Sequence, residues 1–322
     1  MSKVQSSKFR TRSLQPRRTK REARVISALL RWYRRHGRKL PWRGEKNPYR
    51  ILVSEIMLQQ TQVNRVLVKY PLFLKRFPTL EKLANAQAST VIRAWQGMGY
   101  NNRAVRLQQL AKRVVNDLGG RLPTAPAELN RLPGVGRYTA HAVACLAFKQ
   151  PLPVVDTNVA RVLGRLFPKK LKRTGAQRRD VSPIWATAAG ILPKARASEW
   201  NQALMDLGSQ ICTARAPDCG TCPVSKLCPS AHRPLPTNVA ALKREPGRDG
   251  VPNRIYRGRV VEILRSLKRG QRLRAPDLGR RVKEEFGEKD GAWLHRLLND
   301  LERDGLVRLR GNGSTVSVGL PD

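Results

Sequence analysis

The sequence is poor in acid. Asp and Glu number 23 against 63 Lys and Arg, a formal net charge of +40 over 322 residues. A chain so unbalanced repels itself and attracts polyanions. Nucleic acid is the partner this predicts, with phosphates supplying much of the affinity. Long apolar runs are also missing. None approaches the ~20 residues that span a bilayer, and no apolar anchor stands beside a basic amphipathic stretch, so a membrane-surface protein is excluded. The basic N-terminus has no apolar core of the kind a secretory signal needs. Residues 1–21, rich in Ser and Arg, read as a disordered basic arm rather than a transit peptide. Cysteine is scarce, with five in all. Cys145 sits in the apolar run AVACLAF as an inert core residue. A reducing compartment and a monomer are the expectations, with a cytoplasmic, nucleoid-associated setting in a bacterium and an organelle or nucleus left open.

The other four cysteines are bunched as Cys212-x6-Cys219-x2-Cys222-x5-Cys228. Four thiolates at short gaps are the ligand set of a tetrahedral zinc or of an iron–sulfur cluster. Two disulfides are the bland alternative, disfavoured by the stiff loops that Pro217, Pro223 and Pro229 make and by the absence of any sign of secretion. The central C-x2-C is common in zinc sites, the asymmetric gaps favour a cubane, and spacing alone leaves the metal open. A ribosomal or packaging protein would match the charge, but not this stapled loop together with a long apolar-periodic core.

Strand signals are scarce from residue 24 to 207, which predicts an all-α domain. Helical periodicity marks VISALLRWY from Arg24, one helix over 51–68, and further helices at 80–87, 88–96, 101–117, 125–132, 137–148, 156–166, 181–191 and 198–211. The Pro- and Gly-rich stretch 233–254 reads as a linker. Amphipathic helices at 257–268, 275–286 and 291–304 follow. An alternating segment then turns at Gly311-Asn312-Gly313, which predicts a β-hairpin. Three helices and a terminal hairpin make a winged-helix-like α+β module over 255–322, of the kind that holds duplex DNA or docks on protein.

Three segments carry chemistry. In LPGVGRYTA, Gly134 and Gly136 bracket one residue of a tight turn between two helices. Glycine permits positive φ and close backbone approach. The N–H groups that open the second helix can then receive a phosphate, with Arg137 adding charge beside them. In VVDTNVARVL, Asp156 precedes a helical run and fits an N-cap, a role compatible with facing a cleft. In ILVSEIMLQQTQV, Glu55 stands inside an apolar helix, where desolvation favours the protonated form that a general acid needs; a solvated helix face is the alternative. The amides of QQTQ suit base edges.

With LPWR (40–43), SEIMLQQTQV (54–63), GMGY (97–100), LPGVGRYTA (132–140), VVDTNVARVL (154–163) and NQALMDLGSQIC (201–212), the chain resembles the helix-hairpin-helix DNA glycosylases. The likeness covers about residues 22–232 and is nearest to the MutY-type adenine glycosylases. The resemblance implies a two-lobed all-α domain and a 4Fe–4S cluster on Cys212, Cys219, Cys222 and Cys228. It also implies a substrate of double-stranded DNA containing a mispaired or damaged base. It makes Glu55 the general acid and Asp156 the anion that stabilises a cationic sugar, with Asn158 orienting Asp156 and water. Tyr138 stands where endonuclease III carries its Schiff-base lysine, which implies hydrolysis without strand cleavage. Gln60 and Tyr100 would wedge into the duplex, helping to offset the cost of flipping a base.

The chain departs from that pattern in three places. The C-terminal module is not the family's reader of 8-oxoguanine. Thr157 replaces the usual glycine after Asp156, and Asn101 replaces a second tyrosine after Tyr100. Adenine opposite 8-oxoguanine or guanine is the expected substrate. Thymine or uracil opposite guanine, or hypoxanthine, would fit a shifted specificity, and a non-catalytic DNA-binding protein is the reading from another class. The module is expected to add affinity rather than choose the base.

Overall fold

Side-chain oxygens placed just before apolar runs set where the helices begin. Thr19 and Glu22 form a reciprocal capping box at the start of α1, Lys20–His36. Asn47 caps α2, Pro48–Leu58, whose first residue is a proline already fixed at helical φ. Thr79 caps α4, Leu80–Ala84, and Asp156 caps α9, Thr157–Leu166. The remaining helices of this region are α3 Val63–Arg76, α5 Ala88–Ala94, α6 Asn102–Asp117, α7 Pro126–Leu129, α8 Arg137–Leu146, α10 Ser182–Ile191 and α11 Ala197–Gln210. The computed structural model describes residues 18–168, 182–234, 245–312 and 315–322. The expected arm up to residue 17, residues 235–244 of the expected linker, residue 313 of the expected turn and residue 314 after it lie outside them. No helix among the described residues is long and apolar enough to cross a membrane.

The chain divides into two compact units, one from the residues up to 38 and from 150 to 235, the other from 39–149 and 236–322. In the first, α1 and α9 pack on α11 and bury Leu29, Val162, Trp200 and Leu204 at 1% exposure or less. In the second, α2 packs on α3, α6 and α8, and Leu52, Val66, Trp95 and Leu107 are fully buried.

The single helix expected over 51–68 is two helices. α2 ends at Leu58, a turn runs through 59–62 with Gln60 at φ +53°, and α3 then extends to Arg76 with Pro71 inside it. Apolar periodicity continues across the break, so it does not register in the pattern. The cause is tertiary and lies in the carbonyl-binding residue described below.

The C-terminal module begins earlier than 255. Gly247–Arg248 (β1) and Val251–Pro252 (β2) pair around Asp249 and Gly250, both at positive φ (+49° and +76°), the signature of a type I′ hairpin. The D-G dipeptide was the available signal, hidden in a segment whose composition reads as linker. Then come α12 (Asn253–Ser266), β3 (Leu273–Arg274), α13 (Ala275–Val282), α14 (Gly291–Arg303), β4 (Arg308–Arg310) and β5 (Ser317–Gly319). The sheet is antiparallel in the order β3-β5-β4. α13 stops short of the expected Phe286. That ring folds back over Gly279, where a Cβ would lie 2.5 Å from it. The module's core includes Val260, Leu278, Leu298 and Val318, and Ile92 and Val105 of the helical part join the same cluster.

One buried ionic group fastens the new hairpin to the module. Asp290, with no exposed surface, accepts from Arg248 Nε at 2.8 Å, from Lys283 Nζ at 3.1 Å and from Gly287 N at 3.1 Å. The Gly287 amide, with Lys283 and Arg248, holds the Asp290 carboxyl down at about 2. A carboxyl depressed in the folded state contributes stability that is present above its unfolded pKa, near ~4, and is lost as pH falls through the folded value. The thermal midpoint of Asp290→Asn should therefore lie below that of the wild type at neutral pH. The gap should narrow as pH drops from about 4 towards 2. A gap that stays constant with pH would contradict the assignment.

Candidate active site

Glu55 lies on α2, among Leu52, Val53, Ile56 and Met57, and is only 5% exposed. The solvated-face alternative is thereby removed. α2 packs against α8, whose second residue is Tyr138, half-buried. The turn before α8 is built on Gly134 at φ +76°, a conformation that strains other residues, and a Cβ there would lie 3.1 Å from Arg106 Cβ. Gly136 needs no such freedom. Its φ is −94° and open space surrounds the Cβ position. The first bond of α8 runs from Ala140 N to Gly136 O at 2.9 Å. The N–H groups of Arg137, Tyr138 and Thr139 precede it and carry the positive end of the helix dipole, beside the exposed Arg137.

Gln60 and Tyr100 are brought together, by a residue the sequence did not single out. Arg103, at 7% exposure, opens α6 and reaches across to both loops. Its Nη1 donates to the carbonyls of Ile56, Met57 and Gln59 at 2.8, 3.0 and 2.5 Å. Its Nη2 donates to Thr61 Oγ1 and to the carbonyls of Met98 and Gly99 at 2.9, 3.1 and 3.0 Å. The last carbonyls of α2 would otherwise be orphaned, and this guanidinium satisfies them while pinning the turn at 59–61 to the loop at 98–100. Both Gln60 and Tyr100 are exposed and hold positive φ, +53° and +44°. Burial lowers the Arg103 pKa to about 10, so the group stays charged at neutral pH. A signal was present: an arginine two residues into a helix, on its apolar face. In a chain with so many arginines it did not stand out. Gln59, one of the expected base-edge amides, instead donates to Thr139 Oγ1 at 3.2 Å.

Asp156 belongs to the other unit, where it is both helix cap and polar anchor. Oδ1 accepts from Val159 N at 2.6 Å and Oδ2 from Asn158 Nδ2 at 3.0 Å. Both oxygens are thus held as acceptors, which fixes the carboxylate in direction. Asn158 Oδ1 accepts in turn from Arg161 Nη2 at 2.7 Å. Arg161 also donates to Gly208 O at 2.6 Å and, through Nε, to Cys212 O at 2.8 Å. Gly208 is required where it stands, because a Cβ would sit 2.7 Å from Asn158 Cβ. Thr157, in place of the family glycine, occupies an exposed first helical position.

The four cysteines of the loop are half-buried and none is in a disulfide, so that reading falls. Burial pushes the Cys222 thiol up to about 11, and the thiols of Cys212, Cys228 and Cys219 push in the same direction. No three His, Cys, Asp or Glu side chains among the described residues are placed to hold a single metal ion. Arg165 crosses the mouth of the loop, with Nη1 3.2 Å from Cys212 Sγ and bonded to Thr213 O at 2.7 Å. The loop therefore offers four thiolate ligands with a guanidinium beside them to offset their charge.

Comparison with known proteins identifies this arrangement. Residues 53–185 match the model of the HhH-GPD superfamily base excision DNA repair proteins, and residues 212–228 match the iron–sulfur binding domain of endonuclease III. The chain belongs to the HhH-GPD superfamily of helix-hairpin-helix DNA glycosylases. It is 42% identical over 240 residues to an adenine DNA glycosylase of Mycobacterium tuberculosis, covering 74% of this chain and 77% of that one. It is 37% identical over 293 residues to an adenine DNA glycosylase of Mycolicibacterium smegmatis, covering 90% and 95%. Among solved structures it is similar to a thermostable thymine-DNA glycosylase, at 33% identity and a TM-score of 0.61, covering 66% of this chain and 97% of that one. Another match is a trapped endonuclease III–DNA covalent intermediate, at 26% identity and a TM-score of 0.57, covering 67% and 98%. The chain is accordingly a DNA N-glycosylase with a 4Fe–4S loop, and DNA is its substrate.

Arg161→Leu removes a donor to Asn158 Oδ1 and empties the two carbonyl bonds that tie α9 to α11 and to the cysteine loop. Loss of ~2–3 kcal/mol of unfolding free energy is expected, together with faster bleaching of the iron–sulfur absorbance on dilution. Wild-type stability and cluster retention in this variant would contradict the described anchoring.

Proposed function

We propose that this chain hydrolyses the N-glycosidic bond of adenine mispaired with 8-oxoguanine or guanine, acts as a monomer, and does not cleave the strand. The observation that carries this reading is the carboxylate of Asp156, both of whose oxygens are engaged by Val159 N and Asn158. A fixed anion of this kind suits a reaction that passes through a cationic sugar. The adenine preference is supported by the relatives, whose full lengths this chain nearly spans in the Mycolicibacterium smegmatis case.

In this mechanism Glu55 protonates a ring nitrogen of the departing adenine as the C1′–N bond breaks. Asp156 stabilises the oxocarbenium-like sugar by charge, and Asn158 holds its direction. Water then adds to C1′ and surrenders its proton to Glu55, which restores the acid and leaves an abasic site and free adenine. Tyr138 cannot form a Schiff base, so no imine between enzyme and DNA enters the cycle and β-elimination of the strand does not follow. The backbone N–H groups ahead of α8, with Arg137, take a DNA phosphate. Gln60 and Tyr100 enter the duplex beside the extruded nucleotide. Cys212, Cys219, Cys222 and Cys228 hold the cluster, whose chemistry here is the closing of a loop.

The test is base release from duplexes carrying adenine opposite 8-oxoguanine, adenine opposite guanine, thymine or uracil opposite guanine, and hypoxanthine. Wild type should release adenine fastest. Glu55→Gln and Asp156→Asn should each lower single-turnover release by at least about 10³-fold while duplex binding stays within roughly threefold. Borohydride should trap no adduct. Preference for thymine or hypoxanthine, efficient trapping, or near wild-type release by either variant would overturn the assignment.

A further inference from the structure

The expectation that the C-terminal module only adds affinity does not account for where it sits. Within the second unit the module is locked to the loop that carries Tyr100. Arg265, at 7% exposure, donates from Nε to Ile92 O at 3.0 Å and from Nη2 to Asn101 Oδ1 at 2.8 Å. Arg93 answers, donating to the carbonyls of Arg265 and, at 2.9 Å, of Leu267. Gln96 reaches Glu262, and Ser89 N donates to Pro321 O at 3.0 Å. Ile92 and Val105 complete the module's apolar core. Asn101, which departs from the family's second tyrosine, is therefore a docking residue placed directly after Tyr100.

This seat creates a cavity of about 330 Å³. One wall is Gln60, Arg65, Tyr100 and Asn102. The other is the first turn of α12, with Arg254, Ile255 and Arg257. Tyr100 and Ile255 are large apolar groups left 51% and 42% exposed. Arg254 and Arg257 edge the cavity and are paired with Glu245 and Asp304, so part of their charge is already met within the protein. A phosphate site would need neither an exposed aromatic ring nor an isoleucine. A ring face, an apolar contact, two side-chain amides and flanking guanidiniums are what a single nucleobase uses, by stacking and by hydrogen bonding at its edge.

We infer that α12 and the Gln60–Tyr100 loops form one composite pocket for the base left unpaired opposite the extruded nucleotide, and that Arg254 and Ile255 contribute to choosing that base. This rests on the proposed glycosylase reading, because the pocket borders the loops assigned to enter the duplex. It gives the module a part in mispair choice.

The experiment uses full-length protein and needs no base excision. Affinities are measured at matched salt for duplexes in which an abasic-site analogue faces 8-oxoguanine, guanine, cytosine or thymine, so that the opposite base is the only variable. Wild type should rank these bases. Ile255→Ala combined with Arg254→Ala, both at exposed positions, should compress the spread between best and worst by roughly tenfold, the weight of one lost stacking or edge contact. Equal weakening on all four duplexes would make the module a phosphate clamp and overturn the inference, as would a wild type indifferent to the opposite base. Failure of the glycosylase reading would appear separately, as no adenine release in the mispair panel.

Discussion

Buried and half-buried guanidiniums bound to backbone carbonyls hold the loops that bear on function. Arg103 collects six carbonyls and a hydroxyl from the end of α2, the turn after it and the 98–100 loop. Arg161 and Arg165 collect those of Gly208, Cys212, Thr213 and Ala214. Arg21 ties Leu166 and Leu227, and Arg265 and Arg93 lock the C-terminal module by the same means. The planar fork of arginine gives several donors in fixed directions and stays charged when desolvated. In a chain with 23 acids to 63 bases, carboxylates are too few to pair these residues. Carbonyls at helix ends, which carry partial negative charge, take their place.

The consequence is that loops are positioned by long-range contacts rather than by their own sequence. The turn that exposes Gln60 exists because Arg103 draws the end of α2 toward α6. The cap at Asp156 has its direction because Arg161 steadies Asn158 and anchors both to the loop that holds the cluster. Each half of the proposed chemistry, acid on α2 and anion at the start of α9, is carried by a unit with its own guanidinium clamp. Surplus basic charge outside suits a DNA backbone, and the same residue type inside serves the protein backbone.

How much of this was legible beforehand follows from the range of the interactions. Asp156, Glu55 and the LPGVG turn announced themselves locally: a carboxylate before a helical run, a carboxylate within an apolar one, glycines framing a tight turn. The cysteine spacing gave the loop, and the cluster followed from the match to the iron–sulfur binding domain of endonuclease III. The break at 59–62 was invisible because apolar spacing runs through it. Arg103 was hidden by abundance, one arginine among many. Asn101 read as a lost tyrosine and is a docking residue, which only the position of α12 reveals. The Asp249-Gly250 hairpin could have been found by its turn chemistry had the surrounding composition not suggested linker.

The most direct test of the guanidinium clamp is Arg103→Lys, which keeps the charge and most of the stem but cannot bridge both loops. Duplex affinity and single-turnover base release are measured on the preferred mispair, with helix content and iron–sulfur absorbance recorded on the same samples. The account predicts retained fold and cluster with duplex affinity weakened by about tenfold or more, because a misplaced loop no longer engages the base stack. Wild-type affinity and release in a folded Arg103→Lys protein would contradict it.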